Sequence, residues 1–216
     1  MADQMAGSVM NSTKELSLLA TDWMTLLEES CPDDWRKMLP ELNLQNPDRV
    51  LEPKALPVLS FLPQLKVLAP AANLPFVTRL DDLQASLHFN QTYSAEDFGA
   101  DFLQQYGWIK FLGPDGYWFS DSMSSGFVLL GADTTYPEHW HKAEELYFPI
   151  SGTGEWFHED HGWQTKSPGD MIVHASNVKH AMRTIGEPLL LLYIWRGGDL
   201  LQKSEKNDSR IDGEKG

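Results

Sequence analysis

The stretch EHWHKAEELYFPISGTGEW, Glu138 to Trp156, has two histidines one residue apart, a glutamate four residues after the second, and a tyrosine two residues later. His139 and His141 stand at i and i+2, a spacing that puts both side chains on one face of a strand. Glu145 shares that face if the strand continues or turns gently. Two imidazoles and a carboxylate then converge on one point inside a barrel. Such ligands with open positions suit iron(II), zinc, manganese, cobalt or nickel. A histidine pair on a strand, taken alone, fits equally well on a surface or in a hydrogen-bonded core. A fourth ligand has to come from elsewhere. His158, His161, His174 and His180 are available, with His88 far upstream. Of these, His158 and His161 read as a solvated hairpin, and His174 can face the other side of its sheet.

Outward from this stretch the chain reads as short strands. SGFVLLGA, EELYFPIS, GTGEWFHE, GWQTKS, DMIVHA and LLLLYIWRG are apolar or alternating runs punctuated by glycine and proline. WIKFLGPDGYWF places two apolar runs around Gly113-Pro114-Asp115-Gly116, a hairpin signal. Many short strands with regular turns predict an antiparallel sandwich or barrel. The region before Trp108 has a different period. Leu16, Leu19, Ala20, Trp23 and Leu27 fall at helical spacing, and Ser12 with Glu15 has capping-box spacing, so a helix is predicted over 12–29. A second helix is predicted from Pro32 through DDWRKMLPEL. Short helices broken by Pro53, Pro57, Pro63 and Pro70 follow. RLDDLQASL and SAEDFGADFLQQY also read as helical, the latter with Ser94 and Asp97 as a cap.

Composition narrows the function classes. The chain has 216 residues, 42% hydrophobic and 22% charged, within the range of soluble globular proteins. A formal net charge of −14 and the lack of a basic patch argue against nucleic acid as a partner. The one cysteine, Cys31, excludes an intramolecular disulfide and a cysteine-type zinc site. No segment has the length of apolar sequence that a membrane span needs. The N-terminal MADQMAGSVMNSTKE lacks the pattern of a signal peptide, which points to the cytoplasm.

His139-x-His141-x3-Glu145-x6-Gly152 resembles the first cupin motif in its histidines, glutamate and closing glycine, with Gly131 somewhat farther upstream than usual. Gly169 and His180 are in register with the second cupin motif. That motif's proline, second glycine and asparagine are replaced by Ala175, Asn177 and Thr184, which puts the shape of the loop in doubt. The resemblance covers roughly residues 106–200 and implies a mainly β fold: a single cupin, an antiparallel barrel or jelly roll. With the helical and polar segments read from the residues, the chain divides into a helical extension over 1–105, the barrel over 106–202 and a polar, disordered tail over 203–216. The resemblance makes His180 the fourth ligand, beside His139, His141 and Glu145.

YPEHWHKAEELYFPISGTGEW, His180 after DMIVHASNV, Trp195 and the helical extension are together similar to the cupin-type dimethylsulfoniopropionate (DMSP) lyases. This resemblance implies β-elimination of a small sulfonium zwitterion to acrylate and dimethyl sulfide, with one divalent metal ion and no organic cofactor. Tyr147 and Tyr136 are then the candidate catalytic groups. Tyr147 competes with His139 to complete the metal shell. Trp195, Tyr136, Trp140 and Tyr193 are the candidate aromatic faces for the sulfonium. The helices can cover the barrel, lie at its mouth or make a homodimer. Two rival readings use the same ligands: an iron(II) dioxygenase of a small acid or thiol, and a non-catalytic ligand-binding cupin.

Overall fold

The computed structural model of the chain describes residues 2–158 and 161–206. Among these residues ten strands form two five-stranded antiparallel sheets. The first has the order β1-β2-β9-β4-β7, from Tyr106–Leu112, Met123–Leu130, Leu189–Arg196, Glu144–Ser151 and Ile172–His174. The second has the order β10-β3-β8-β5-β6, from Glu205–Lys206, Thr135–Trp140, His180–Arg183, Gly154–His158 and Gly162–Lys166. The predicted antiparallel jelly roll is the observed architecture, preceded by helices.

Those helices are α1 (Ala2–Ser30), α2 (Asp33–Arg36), α3 (Leu62–Leu68), α4 (Leu74–Leu83), α5 (Ala95–Phe98) and α6 (Ala100–Gln104). The helix predicted over 12–29 falls within α1, and the Ser12 cap lies outside the residues whose side chains are described. The apolar stripe is as expected: Leu19, Ala20, Trp23 and Leu27 are fully buried. The helix predicted through DDWRKMLPEL is a single turn at α2. The Ser94 cap is present, with the Ser94 backbone N–H donating to Asp97 Oδ2 at 2.8 Å. Prolines fragment the middle segment as predicted, Pro57 and Pro63 standing in the first turns of their helices, where a missing N–H costs no helical bond.

The helices pack on the outer face of the first sheet. One apolar cluster joins Trp23, Leu62, Leu65, Phe76 and Leu80 to Ile109, Phe111, Phe127, Phe148, Leu192 and Ile194. The opposite face of that sheet supplies Tyr106, Val128, Tyr147, Leu191 and Tyr193 to a second cluster. That cluster fills the space between the sheets with Tyr136, Trp156 and Met182 of the other sheet. Both faces of the first sheet are therefore covered by packed side chains. β2 is buried at every position and β9 at its first six, and this is why LLLLYI is a continuous apolar run rather than an alternating one.

The hairpin signal at Gly113-Pro114-Asp115-Gly116 is only half right. β1 and β2 do pair antiparallel, but the second partner is Met123–Leu130, not the Tyr117–Phe119 run. Trp118 instead folds back on the end of β1, its N–H donating to Phe111 O at 2.8 Å, and its ring enters the helical core. The polar segment predicted from residue 203 forms β10 at Glu205–Lys206, paired with Trp140 and His139. Residues 207–216 lie outside the described residues. No helix among the described residues is long and apolar enough to cross a membrane.

Candidate active site

The histidine and glutamate motif does not lie on one continuing strand. His139 is in β3 of the second sheet, His141 follows that strand's end, and the chain then crosses to the first sheet, where Glu145 enters β4. His180 opens β8 and is paired directly with His139. The ligand set thus converges from both sheets across the interior, and the expectation of a single strand face is corrected. Its constituents are all buried, His139, His141, Glu145 and His180 being at most 2% exposed.

Each of the three histidines has the same hydrogen bond. Nδ1 of His139, His141 and His180 lies 2.9 Å from the backbone carbonyl of Pro137, Ala143 and Val178 respectively. A carbonyl only accepts, so each Nδ1 carries the proton and each Nε2 presents a lone pair. The donor atoms of the three lie within 4.8 Å of one another. Glu145 Oε2 is 3.1 Å from His141 Nε2 and 3.3 Å from His180 Nε2. The His180 nitrogen has no hydrogen-bond partner in this arrangement. Lone pairs and a carboxylate facing one another in a dry interior require a cation between them, either a proton or a metal. Burial disfavours the His141 imidazolium, yet the Glu145 charge and hydrogen bond outweigh it and raise the His141 pKa. Burial likewise works against the Glu145 carboxylate, yet His141 and His180 hold it well below the usual range. Burial and the neighbouring His180 push His139 well below its ordinary value, leaving it neutral. Three neutral-capable imidazoles and one carboxylate, oriented by backbone acceptors, fit a divalent transition metal.

The second-motif departures keep the loop's shape. Asn177 takes the left-handed conformation, φ 62°, that glycine would otherwise supply, and its N–H donates to His141 O at 2.8 Å. Thr184 Oγ1 accepts from the Thr134 N–H at 2.9 Å and donates to Gly131 O at 2.6 Å. Gly152, the closing glycine of the first motif, has φ 79°, and a Cβ there would lie 2.0 Å from Pro188 O.

A cavity of about 280 Å³ opens beside these ligands. Glu145, Tyr147, Tyr136, Tyr193 and Trp195 line it. Tyr147 is two residues after Glu145 on β4 and faces the same interior, paired across the sheet with Tyr193. Burial, the Glu145 charge and hydrogen bonding to that carboxylate hold the Tyr147 phenol well above its ordinary pKa. Trp195, opposite Glu145 in the ladder, donates its indole N–H to Glu145 Oε1 at 2.5 Å, and its ring lies 4.2 Å from that of His141. Tyr136 stacks on His139 at 4.3 Å and 13°, and its hydroxyl donates to Tyr93 Oη at 3.1 Å. Trp140 is elsewhere: it alternates to the outside of β3, where its indole donates to Glu205 and Lys179 covers its ring. His158 and His161 stack on each other away from the cavity.

Two residues of the neighbourhood were not singled out by spacing. His174 faces inward, not away. Its ring stacks on His180 at 3.9 Å and 13°, and burial together with His180 lowers its pKa to about 3. Tyr93, from the loop before α5, reaches Tyr136 from outside the barrel segment, and nothing in its local sequence marks it.

Two facing antiparallel sheets with three histidines and a glutamate converging between them define a cupin. The sequence model of the dimethylsulfoniopropionate lyase family matches residues 34–191, and the chain belongs to that family. The chain is 38% identical over 106 residues to dimethylsulfoniopropionate lyase DddQ of Ruegeria pomeroyi, a stretch that is 49% of this chain and 53% of that protein. It is 34% identical over 110 residues to the putative dimethylsulfoniopropionate lyase DddL of Cereibacter sphaeroides, covering 50% of this chain and 45% of that protein. These matches span about half the length of the curated relatives. The crystal structure of DddQ from R. pomeroyi superimposes with a TM-score of 0.77 at 27% identity, covering 93% of this chain and 99% of that one. A structure from a study of the DMSP lyases RdDddP and RnDddQII gives a TM-score of 0.76 at 26% identity, covering 92% and 98%.

Proposed function

We propose that this protein is a carbon–sulfur lyase that cleaves dimethylsulfoniopropionate to acrylate and dimethyl sulfide, using one divalent metal ion and no organic cofactor. The observation that carries the reading is Tyr147: a buried phenol two residues from Glu145, both on the wall of one cavity, with Glu145 Oε2 3.1 Å from His141 Nε2 and 3.3 Å from His180 Nε2. A non-catalytic ligand-binding cupin has no need of a phenol in that place. Membership of the dimethylsulfoniopropionate lyase family supports the same substrate.

His139, His141, Glu145 and His180 are the residues that would hold the metal. A bound divalent cation would neutralise the substrate carboxylate, acidify the C–H beside it and favour the Tyr147 phenolate. Tyr147 takes the proton from the carbon next to the carboxylate. The C–H electron pair forms the new C=C bond, and the C–S pair leaves on sulfur. Dimethyl sulfide departs neutral, so no general acid is required. Tyr136 is the second phenol at the cavity and, stacked on His139, sets the orientation of that ring. Trp195 holds Glu145 through its indole N–H and, with Tyr193 and Tyr136, offers aromatic faces to the sulfonium. Each such face contributes on the order of 0.5–2 kcal/mol. Trp140 lies outside the cavity and is left out of this cradle.

The test is a headspace assay. Protein loaded in turn with iron, zinc, manganese, cobalt or nickel is supplied with dimethylsulfoniopropionate, and dimethyl sulfide is measured with and without oxygen. Release that persists under anaerobic conditions is expected. Absence of release with every metal sinks the lyase reading, and release that demands oxygen replaces it with a dioxygenase.

A further inference from the structure

The cavity wall is not made by the barrel alone. Five consecutive residues after β9, from Leu200 to Ser204, line it. Leu200 and Ser204 are buried although they follow the last long strand. The segment leaves the barrel through Gly197 and Gly198, both at φ 68°. A Cβ on Gly198 would meet Ala143 N at 2.9 Å, so the turn sits tightly against the crossing between the metal-site strands. The segment ends in β10, where Glu205 and Lys206 pair with Trp140 and His139. It therefore crosses the cavity and lands on the strand that carries the first histidine.

What fastens it comes from outside the barrel. Asp97, in α5, receives Lys203 Nζ at 2.7 Å on Oδ2 and Lys206 Nζ at 3.0 Å on Oδ1. The same two lysines lie over rings of the same region, Lys203 5.4 Å from the Tyr93 centroid and Lys206 5.4 Å from that of Phe98. Ser204 lies beside the Tyr93 hydroxyl, which accepts from Tyr136. Beyond these bonds the described part of the segment is held by a ladder of two residue pairs and by the Trp140 indole N–H, which donates to the exposed Glu205 at 3.0 Å. Two-residue ladders and solvent-accessible ion pairs open at low cost.

We propose that residues 200–206 form a strap closing the cavity, that Asp97 is the positioning residue that latches it, and that substrate enters when the latch opens. This rests on the cavity being the substrate site. Asp97 touches no reacting group. It acts by fixing Lys203 and Lys206, and through Ser204 the strap reaches Tyr93 and Tyr136.

Two variants test it. Asp97→Asn removes the charge but keeps an oxygen able to accept from the Ser94 N–H, so the cap of α5 survives. The double variant Lys203→Met with Lys206→Met leaves Asp97 and the cap untouched. Hydrogen exchange of a peptide covering 200–206 is followed by mass spectrometry on the full chain, and steady-state kinetics are measured with dimethylsulfoniopropionate. Both variants should exchange about tenfold faster in the strap. Both should raise KM about fivefold or more, with the larger effect on KM than on kcat. Unchanged exchange in both variants overturns the latch. Faster exchange with unchanged KM overturns the strap as the cavity's gate. A wild-type protein that releases no dimethyl sulfide refutes the lyase reading instead, and the exchange comparison still decides the latch.

Discussion

At the residue scale the site is a set of charges and lone pairs that need a cation. On the proposed reading Tyr147 is the base. Replacing it by phenylalanine removes one hydroxyl from a packed wall and leaves the four candidate metal-holding residues in place. Tyr147→Phe should lower dimethyl sulfide release by about 10²–10⁴-fold, with metal content by elemental analysis unchanged. An active Tyr147→Phe protein would remove this residue as the base. A second expectation follows from His174. Its folded pKa of about 3 lies below the ordinary 6.5, so the unfolded chain binds a proton that the folded chain refuses. Its contribution to stability is therefore complete above pH 6.5 and lost as pH falls from 6.5 toward 3. His139, also held low, acts in the same direction. The unfolding free energy of metal-free protein, from urea titrations, should drop across that window by an amount on the order of a few kcal/mol, and His174→Phe, which keeps the ring stack, should flatten part of the slope. His139, His141 and Glu145 were legible as a set because their spacing is local, whereas His180 joined them only through the resemblance to the second cupin motif. The inward face of His174 was not, since a three-residue strand gives no period from which to read direction.

At the element scale, the strands that could be read were the apolar ones, and the strands that could not were those built of site residues. β3 and β8 are short and carry histidines, threonine and arginine, so neither has an apolar run or a clear alternation. The GPDG turn was visible, yet the strand after it was misplaced. Tyr117 and Trp118 are apolar because they fill the helical core, not because they pair in the sheet. The helices show the converse. Trp23 on α1 was marked by its 3.6-residue period, and it lies fully buried between Phe111 and Trp118, its indole donating to Ser125 Oγ at 3.3 Å. Trp23→Ala should destabilise the protein by about 3–5 kcal/mol, read as a shift in urea midpoint with little change in metal content. A loss of metal with unchanged stability would mean that α1 supports the site rather than the core.

On the scale of the whole molecule, the candidate metal-holding residues come from both sheets, so an ion bound there would tie one layer of the sandwich to the other. Binding to the folded chain alone stabilises it by mass action, about 2.7 kcal/mol at a free metal concentration 100 times Kd. For a chain of this size that corresponds to roughly 5–10 °C in Tm. A chelator should lower Tm by such an amount, and Glu145→Ala should abolish the difference between metal-loaded and chelated protein. Equal Tm values for the wild-type protein in the two conditions would rule out a stabilising metal at this site. The sequence by itself determined the class of fold, the helical segment before the barrel, and His139, His141 and Glu145 as one candidate set. Local periodicity, turn residues and fixed spacing are properties of a few neighbouring positions, and they survive in a linear string. Only the tertiary structure decided that Glu145 faces the histidines from the opposite sheet, that Trp140 turns outward while Trp195 bonds Glu145, and that Asp97 fastens the segment after β9 across the cavity. Those relations join residues up to about a hundred positions apart, through the closing of two sheets on each other, and no local pattern encodes which side chains that closure brings into contact.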